Sequence, residues 1–184
     1  DVSRARELYQ TYLALSEEMG YSRGIALGCL NLGGLFLEAG EFEKAEGVLR
    51  RAEKLCQEIG DRPNLIETCL RLAELSKAQA DRSGVSDRAA WEYADRAHTL
   101  AEITRSKELL GRSSLTYGKL HLARRNYPEA RNHFRNALTM FVDIKEKKLQ
   151  ADADLEYARM LKKAAAEGVA LPDRAEDYLV KARS

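Results

Sequence analysis

A trace of three side chains at offsets 0, +4 and +7 recurs five times along this chain, and no other feature constrains its fold as strongly. The copies are Ala5-Tyr9-Tyr12, Ala45-Leu49-Ala52, Ala90-Ala94-Ala97, Ala130-Phe134-Ala137 and Ala175-Leu179-Ala182. Their lead alanines stand 40, 45, 40 and 45 residues apart. A second pattern precedes the trace: a large residue followed by a small one at Leu32-Gly33, Leu72-Ala73, Tyr117-Gly118 and Tyr157-Ala158. Each unit is therefore a large-small pair, a turn, and a small-large-small trace. The five extra residues of the longer units are expected in their turns, 78–89 and 165–175, which are rich in Gly, Ser, Asp and Pro.

Both segments of a unit show helical spacing. Ile25, Leu32, Leu35 and Phe36 mark one face of a segment that stops at Gly40, and Pro128 and Pro172 stand where a second helix would begin. The expected helices are 2–19, 22–39, 42–59, 63–80, 87–104, 107–124, 128–144, 147–166 and 173–183, with no alternating run long enough for a strand. Glycine inside a helix costs about 1 kcal/mol relative to alanine. Its recurrence at Gly33 and Gly118 therefore predicts close approach of two helix backbones. Large side chains there would overpack, at roughly 1–3 kcal/mol each.

The large-small pair followed by small-large-small at this spacing resembles the tetratricopeptide repeat (TPR), most closely in NLGGLFLEAGEFEKAEGVLRRAEKL (31–55). The units run 40 or 45 residues rather than 34, and Cys29, Cys69, Ser114 and Asp154 replace the aromatic that often opens helix A. Repeats of this length resemble those of MalT-type bacterial signalling regulators and of Leu-Gly-Asn repeat scaffolds. The resemblance implies an all-α, right-handed solenoid of antiparallel helix pairs, a TPR-like superhelix. The chain then reads as a single array, 1–184: a partial repeat 1–21 contributing helix B, repeats 22–61 and 107–146, and the longer-turn repeats 62–106 and 147–184.

The same resemblance places a partner-binding groove on the concave face formed by helices A. In the first repeat it is lined by Leu30, Asn31, Leu37 and Glu38, and in the second by Glu67, Leu70, Arg71, Glu74 and Lys77. The third contributes Arg112, Leu115 and Lys119, and the fourth Asp152, Leu155, Arg159, Lys162 and Lys163. A leucine takes the same place in each repeat (Leu30, Leu70, Leu115, Leu155). It reads either as packing between neighbouring helices or as an apolar ladder for an amphipathic partner. Counting Glu156, the face sums to −1 over the first two repeats and +3 over the last two, which suits an acidic segment bound in one direction. The Lys/Asn set with which some family members clamp a C-terminal carboxylate is missing, since Gly34, Glu74, Lys119 and Arg159 hold the asparagine positions.

The function expected is a non-enzymatic protein-interaction scaffold that binds a peptide or helix. One alternative is a sensor or autoinhibitory region of a larger signalling ATPase, cyclase, kinase or transcription regulator. Another is self-association through an exposed solenoid end, giving a homo-oligomer. No catalytic residue, cofactor or metal site is expected. The chain has no Walker-type phosphate loop, no CxxC and no histidine pair at i, i+4, and its three cysteines read as buried thiols in a reducing, cytoplasmic setting. His121 and His133 could meet across one helix pair, but a metal there is not expected. With 30 basic against 29 acidic residues, a duplex nucleic-acid partner is not expected. No run approaches 18 consecutive apolar residues, so neither is membrane insertion.

Overall fold

The computed structural model describes residues 2–182, and among these it contains nine α-helices and no strand. They are α1 (Val2–Glu18), α2 (Ser22–Glu38), α3 (Phe42–Ile59), α4 (Arg62–Ser83), α5 (Arg88–Thr104), α6 (Lys107–Ala123), α7 (Tyr127–Asp143), α8 (Lys147–Ala166) and α9 (Ala175–Lys181). The chain divides into two compact units, Asp1–Thr104 and Arg105–Ser184.

Within each unit, consecutive helices form antiparallel hairpins. In the second, a Cβ added at Gly118 would stand 3.0 Å from Phe134, while one at Gly111, two turns earlier, would stand 2.5 Å from Phe141, two turns later. Contacts that move down one helix as they move up the next define that geometry. Gly33 approaches Leu49 in the same way, and the trace alanines Ala45, Ala52, Ala90, Ala94, Ala97, Ala130 and Ala137 are fully buried. Small residues thus stand where helices come closest, and large ones (Leu49, Phe134, Tyr157) fill the intervening space. In the first unit α2 also packs directly on α4. Its core joins Cys29, Leu32, Phe36, Leu49, Leu72 and Leu75.

Three turns of each unit share one design at positions 85 residues apart. The first unit places Gly20, Gly40 and Gly60 in the left-handed region (φ 63°, 73° and 69°). The second places Arg105, Arg125 and Lys145 there (φ 53°, 57° and 59°). At Gly40 and Arg125 the following N–H reaches back to the helix end, from Glu41 to the Phe36 carbonyl (2.8 Å) and from Asn126 to that of His121 (2.9 Å). The backbone closure is the same, so the basic residues bear a conformational cost that the glycines do not.

Several expectations need correction. The extra residues of the longer units do not lie wholly in turns, because α4 runs on to Ser83. Ala80 is buried and Lys77 pairs with Asp81 at 2.6 Å, so this stretch gains both packing and an i, i+4 bridge before Gly84 ends it in the left-handed region. Pro172 does not open the last helix: α9 begins at Ala175, and Pro172 lies in the preceding bend. Residue 183, the expected end of that helix, lies outside the described residues. Gly24 and Gly28 lie buried within α2, inside the expected helix 22–39, and a Cβ on Gly28 would stand 3.2 Å from Leu13 of α1.

Candidate partner-binding face

In the first unit the expected face lies on α2 and α4. Leu30 and Leu70 are almost wholly buried, Leu30 within the core itself, so they leave little surface for a partner. Leu37 is half-buried and packs against the same core, Asn31 is half-buried, and Glu38 is exposed. Arg71 is held by two carboxylates of its own helix, Glu67 at 3.3 Å and Glu74 at 3.2 Å. Its guanidinium lies within 4 Å of where a side chain on Gly34 would begin, so the glycine leaves it room. Burial alone would lower the Arg71 pKa, but Glu74, Glu67 and Glu38 outweigh that and raise it. Lys77 is taken up by Asp81. The charges of this face therefore largely satisfy one another.

The second unit presents a different surface on α6 and α8. Leu115 and Leu155 are half-buried, and Leu115 packs against two core clusters. Half-buried Arg112 lies 3.9 Å from Glu108, Lys119 is half-buried and Asp152 exposed. Exposed Arg159 bridges to Glu156 at 2.6 Å. Lys162 and Lys163 are exposed and pair with no carboxylate among the described residues. The cationic surplus read from the sequence is thus accessible at the C-terminal end of α8.

One polar cluster was not anticipated. Asp173, in the α8–α9 turn, accepts hydrogen bonds from the Tyr157 hydroxyl (2.7 Å) and Arg131 Nε (2.5 Å), with the Tyr178 hydroxyl at 3.4 Å. Desolvation would raise its pKa, but Tyr157 and Arg131 outweigh that and hold it below the usual carboxylate range. Glu167 at the other end of the same turn accepts from the Tyr127 hydroxyl at 2.6 Å. The turn is tied at both ends to buried tyrosines of α7 and α8. The available clue was Tyr157 itself, a buried aromatic whose hydroxyl requires a partner.

The thiols of Cys29, Cys56 and Cys69 are all buried. Desolvation pushes Cys56 and Cys69 up to about 11, so their reactive thiolate forms are scarce at neutral pH. His121 and His133 stack with ring centroids 5.2 Å apart. No group of three or more metal-ligating side chains occurs among the described residues, and none of their helices is long and apolar enough to cross a membrane.

No family model matches the chain, and no curated protein does. Among solved structures, the chain is similar to the crystal structure of BtubC (BKLC) from P. vanneervenii, with a TM-score of 0.70 and 18% sequence identity. The match covers 99% of this chain and 72% of that one. At this identity the likeness carries the fold alone, which is all-helical.

Proposed function

We propose that the chain is a TPR-like right-handed solenoid acting as a non-enzymatic interaction scaffold, and that it binds an acidic, amphipathic peptide or helix along its helix-A face. The observation that carries this reading is the asymmetry of that face. Carboxylates of α4 neutralise its cations Arg71 and Lys77, whereas Lys162 and Lys163 stay exposed on α8, the helix that carries half-buried Leu155. An acidic segment gains charge pairing at that end, and its apolar side chains can cover Leu115 and Leu155. The antiparallel hairpins and the packing of α2 on α4 support the stacked arrangement.

The test is fluorescence anisotropy with a library of acidic amphipathic peptides. Lys162→Glu with Lys163→Glu should weaken binding at least about tenfold, the equivalent of 1.4 kcal/mol, with helicity and melting unchanged. The exposed α3 variant Lys54→Glu should bind as the parent does. Binding indifferent to the α8 reversals but lost in Lys54→Glu refutes the reading.

One observation favours self-association as a second reading. Along α1 and the turn that follows it, Leu8, Leu15 and Met19 are 62%, 51% and 70% exposed at spacings of seven and four, an exposed apolar stripe. Light scattering across concentration tests it. A mass that stays monomeric, or one unchanged by Leu15→Glu, rejects it.

A further inference from the structure

The two units can be compared position by position, because Ala45 and Ala130 stand 85 residues apart. The same offset carries Arg50 onto Arg135, Glu53 onto Leu138, Cys69 onto Asp154, Tyr93 onto Tyr178 and Arg96 onto Lys181. In the first unit this place between α3 and α5 carries paired charges. Arg96 is bridged to Glu53, and the Arg50 guanidinium lies 5.3 Å from the centre of the Tyr93 ring. Both charges of the bridge act on the buried Cys69 thiol.

In the second unit leucine replaces the bridging carboxylate, and a carboxyl replaces the thiol. The place opens as a cleft of about 340 Å³ between α7, α8 and α9. Asp154 forms part of its lining and is only 2% exposed. Its Oδ2 has no hydrogen-bond partner among the described residues. A buried acceptor left in this state is destabilising, and more so when it is charged. Desolvation accordingly drives the Asp154 pKa up, against smaller opposing effects of Lys181 and Gln150. Arg135 and Lys181 line the same cleft, Lys181 with its ammonium 4.7 Å from the centre of the Tyr178 ring. A second carboxylate of the lining, Asp143, pairs with Lys107 at 3.0 Å, and Leu138 and Val142 supply an apolar wall.

This combination discriminates between ligand charges. A simple cation would meet Asp154 but also Arg135 and Lys181. A simple anion would meet the two cations and leave the buried carboxyl unsatisfied. We propose that the cleft binds the zwitterionic head of a free α-amino acid, its ammonium on Asp154 and its carboxylate between Arg135 and Lys181, with the side chain along Leu138 and Val142. The volume lies at the small end of ligand sites, which suits a molecule of that size. The site lies between α7, α8 and α9 and uses neither Lys162 nor Lys163, so it stands or falls independently of the scaffold reading.

The test is calorimetric titration of the full chain with leucine, methionine, phenylalanine and glutamate, each against its amide and its N-acetyl derivative. At least one zwitterion should bind with a Kd at or below about 1 mM. N-acetylation, which removes the ammonium, and amidation, which removes the carboxylate, should each weaken it at least about tenfold. Asp154→Cys restores the residue of the equivalent place in the first unit. It should fold, melt no lower than the parent, and lose binding. Because Arg135 is exposed, Arg135→Gln should leave the fold intact and weaken the amino acid more than its amide. Absence of saturable heat for all four amino acids, an amide that binds as well as its parent acid, or undiminished binding by Arg135→Gln each overturns the proposal.

Discussion

Replacing glycine by alanine at three helical positions separates backbone propensity from helix–helix contact. Propensity alone favours alanine by about 1 kcal/mol at each. Gly47, on the exposed side of α3, has nothing within 4 Å of an added Cβ, so Gly47→Ala should realise nearly all of that gain. At Gly118 the added carbon would lie 3.0–3.1 Å from three Phe134 ring atoms. The ring must retreat by a few tenths of an ångström, which roughly cancels the gain. At Gly33 it would lie 2.4 and 2.5 Å from Cδ2 and Cγ of Leu49, which is fully buried. Leu49 would have to leave its place in a packed core, an overpacking cost of roughly 1–3 kcal/mol set against the gain of about 1. The expected order is Gly47→Ala more stable than the parent, Gly118→Ala close to it, and Gly33→Ala up to about 2 kcal/mol less stable. Urea unfolding followed by far-ultraviolet circular dichroism measures all three, each shift being read from the midpoint at unchanged slope. If Gly33→Ala stabilises as much as Gly47→Ala, helix–helix proximity is not why glycine stands in these helices.

Lys145 is a left-handed residue with no ion-pair partner among the described residues, so Lys145→Gly should raise stability by about 0.5–1 kcal/mol, visible as a higher urea midpoint. A fall would mean that the lysine's attraction to the end of α7 outweighs the backbone cost. Asp173→Asn should cost about 1–3 kcal/mol by weakening the acceptor shared by Tyr157 and Arg131, with the loss concentrated in the second unit by hydrogen exchange. The folded-state pKa of Asp173 is depressed, so its contribution is complete above the ordinary aspartate value of about 3.9 and is lost as pH falls through the lower, folded-state value. Parent and Asp173→Asn should therefore converge in stability below about pH 4, and a difference that persists undiminished there contradicts the pairing.

The helices were legible because their signals are local. The spacing of Ala130, Phe134 and Ala137 on one face, and Gly60 just past the end of α3, are facts of a single segment and survive any tertiary arrangement. The boundaries that moved did so where distant contacts took over. Burial of Ala80 carried α4 beyond its expected end, and Asp173, bound to residues of two other helices, set the path of the chain after Pro172. Among the candidate face residues, the exposed cations Arg159, Lys162 and Lys163 were readable as a surplus of charge. The screening of Arg71 by Glu67 and Glu74 was implicit in their i, i+4 and i, i+3 spacing. The leucine ladder was not resolvable from spacing, because Leu30 and Leu155 occupy equivalent positions with different burial.

A chain of helices in pairs, with small residues at their crossings and a charge difference between the two halves, follows from periodicity, size and composition within single segments. Which equivalent positions became different places depended on contacts between helices. Cys69 and Asp154 hold the same register, yet one lies beneath a bridged pair of charges and the other lines an open cleft with an unsatisfied oxygen. That difference depends on Glu53 against Leu138 and Arg96 against Lys181, residues brought together from separate helices. Desolvation and pairing act on what is adjacent in space, and adjacency of that kind exists only once the chain has folded.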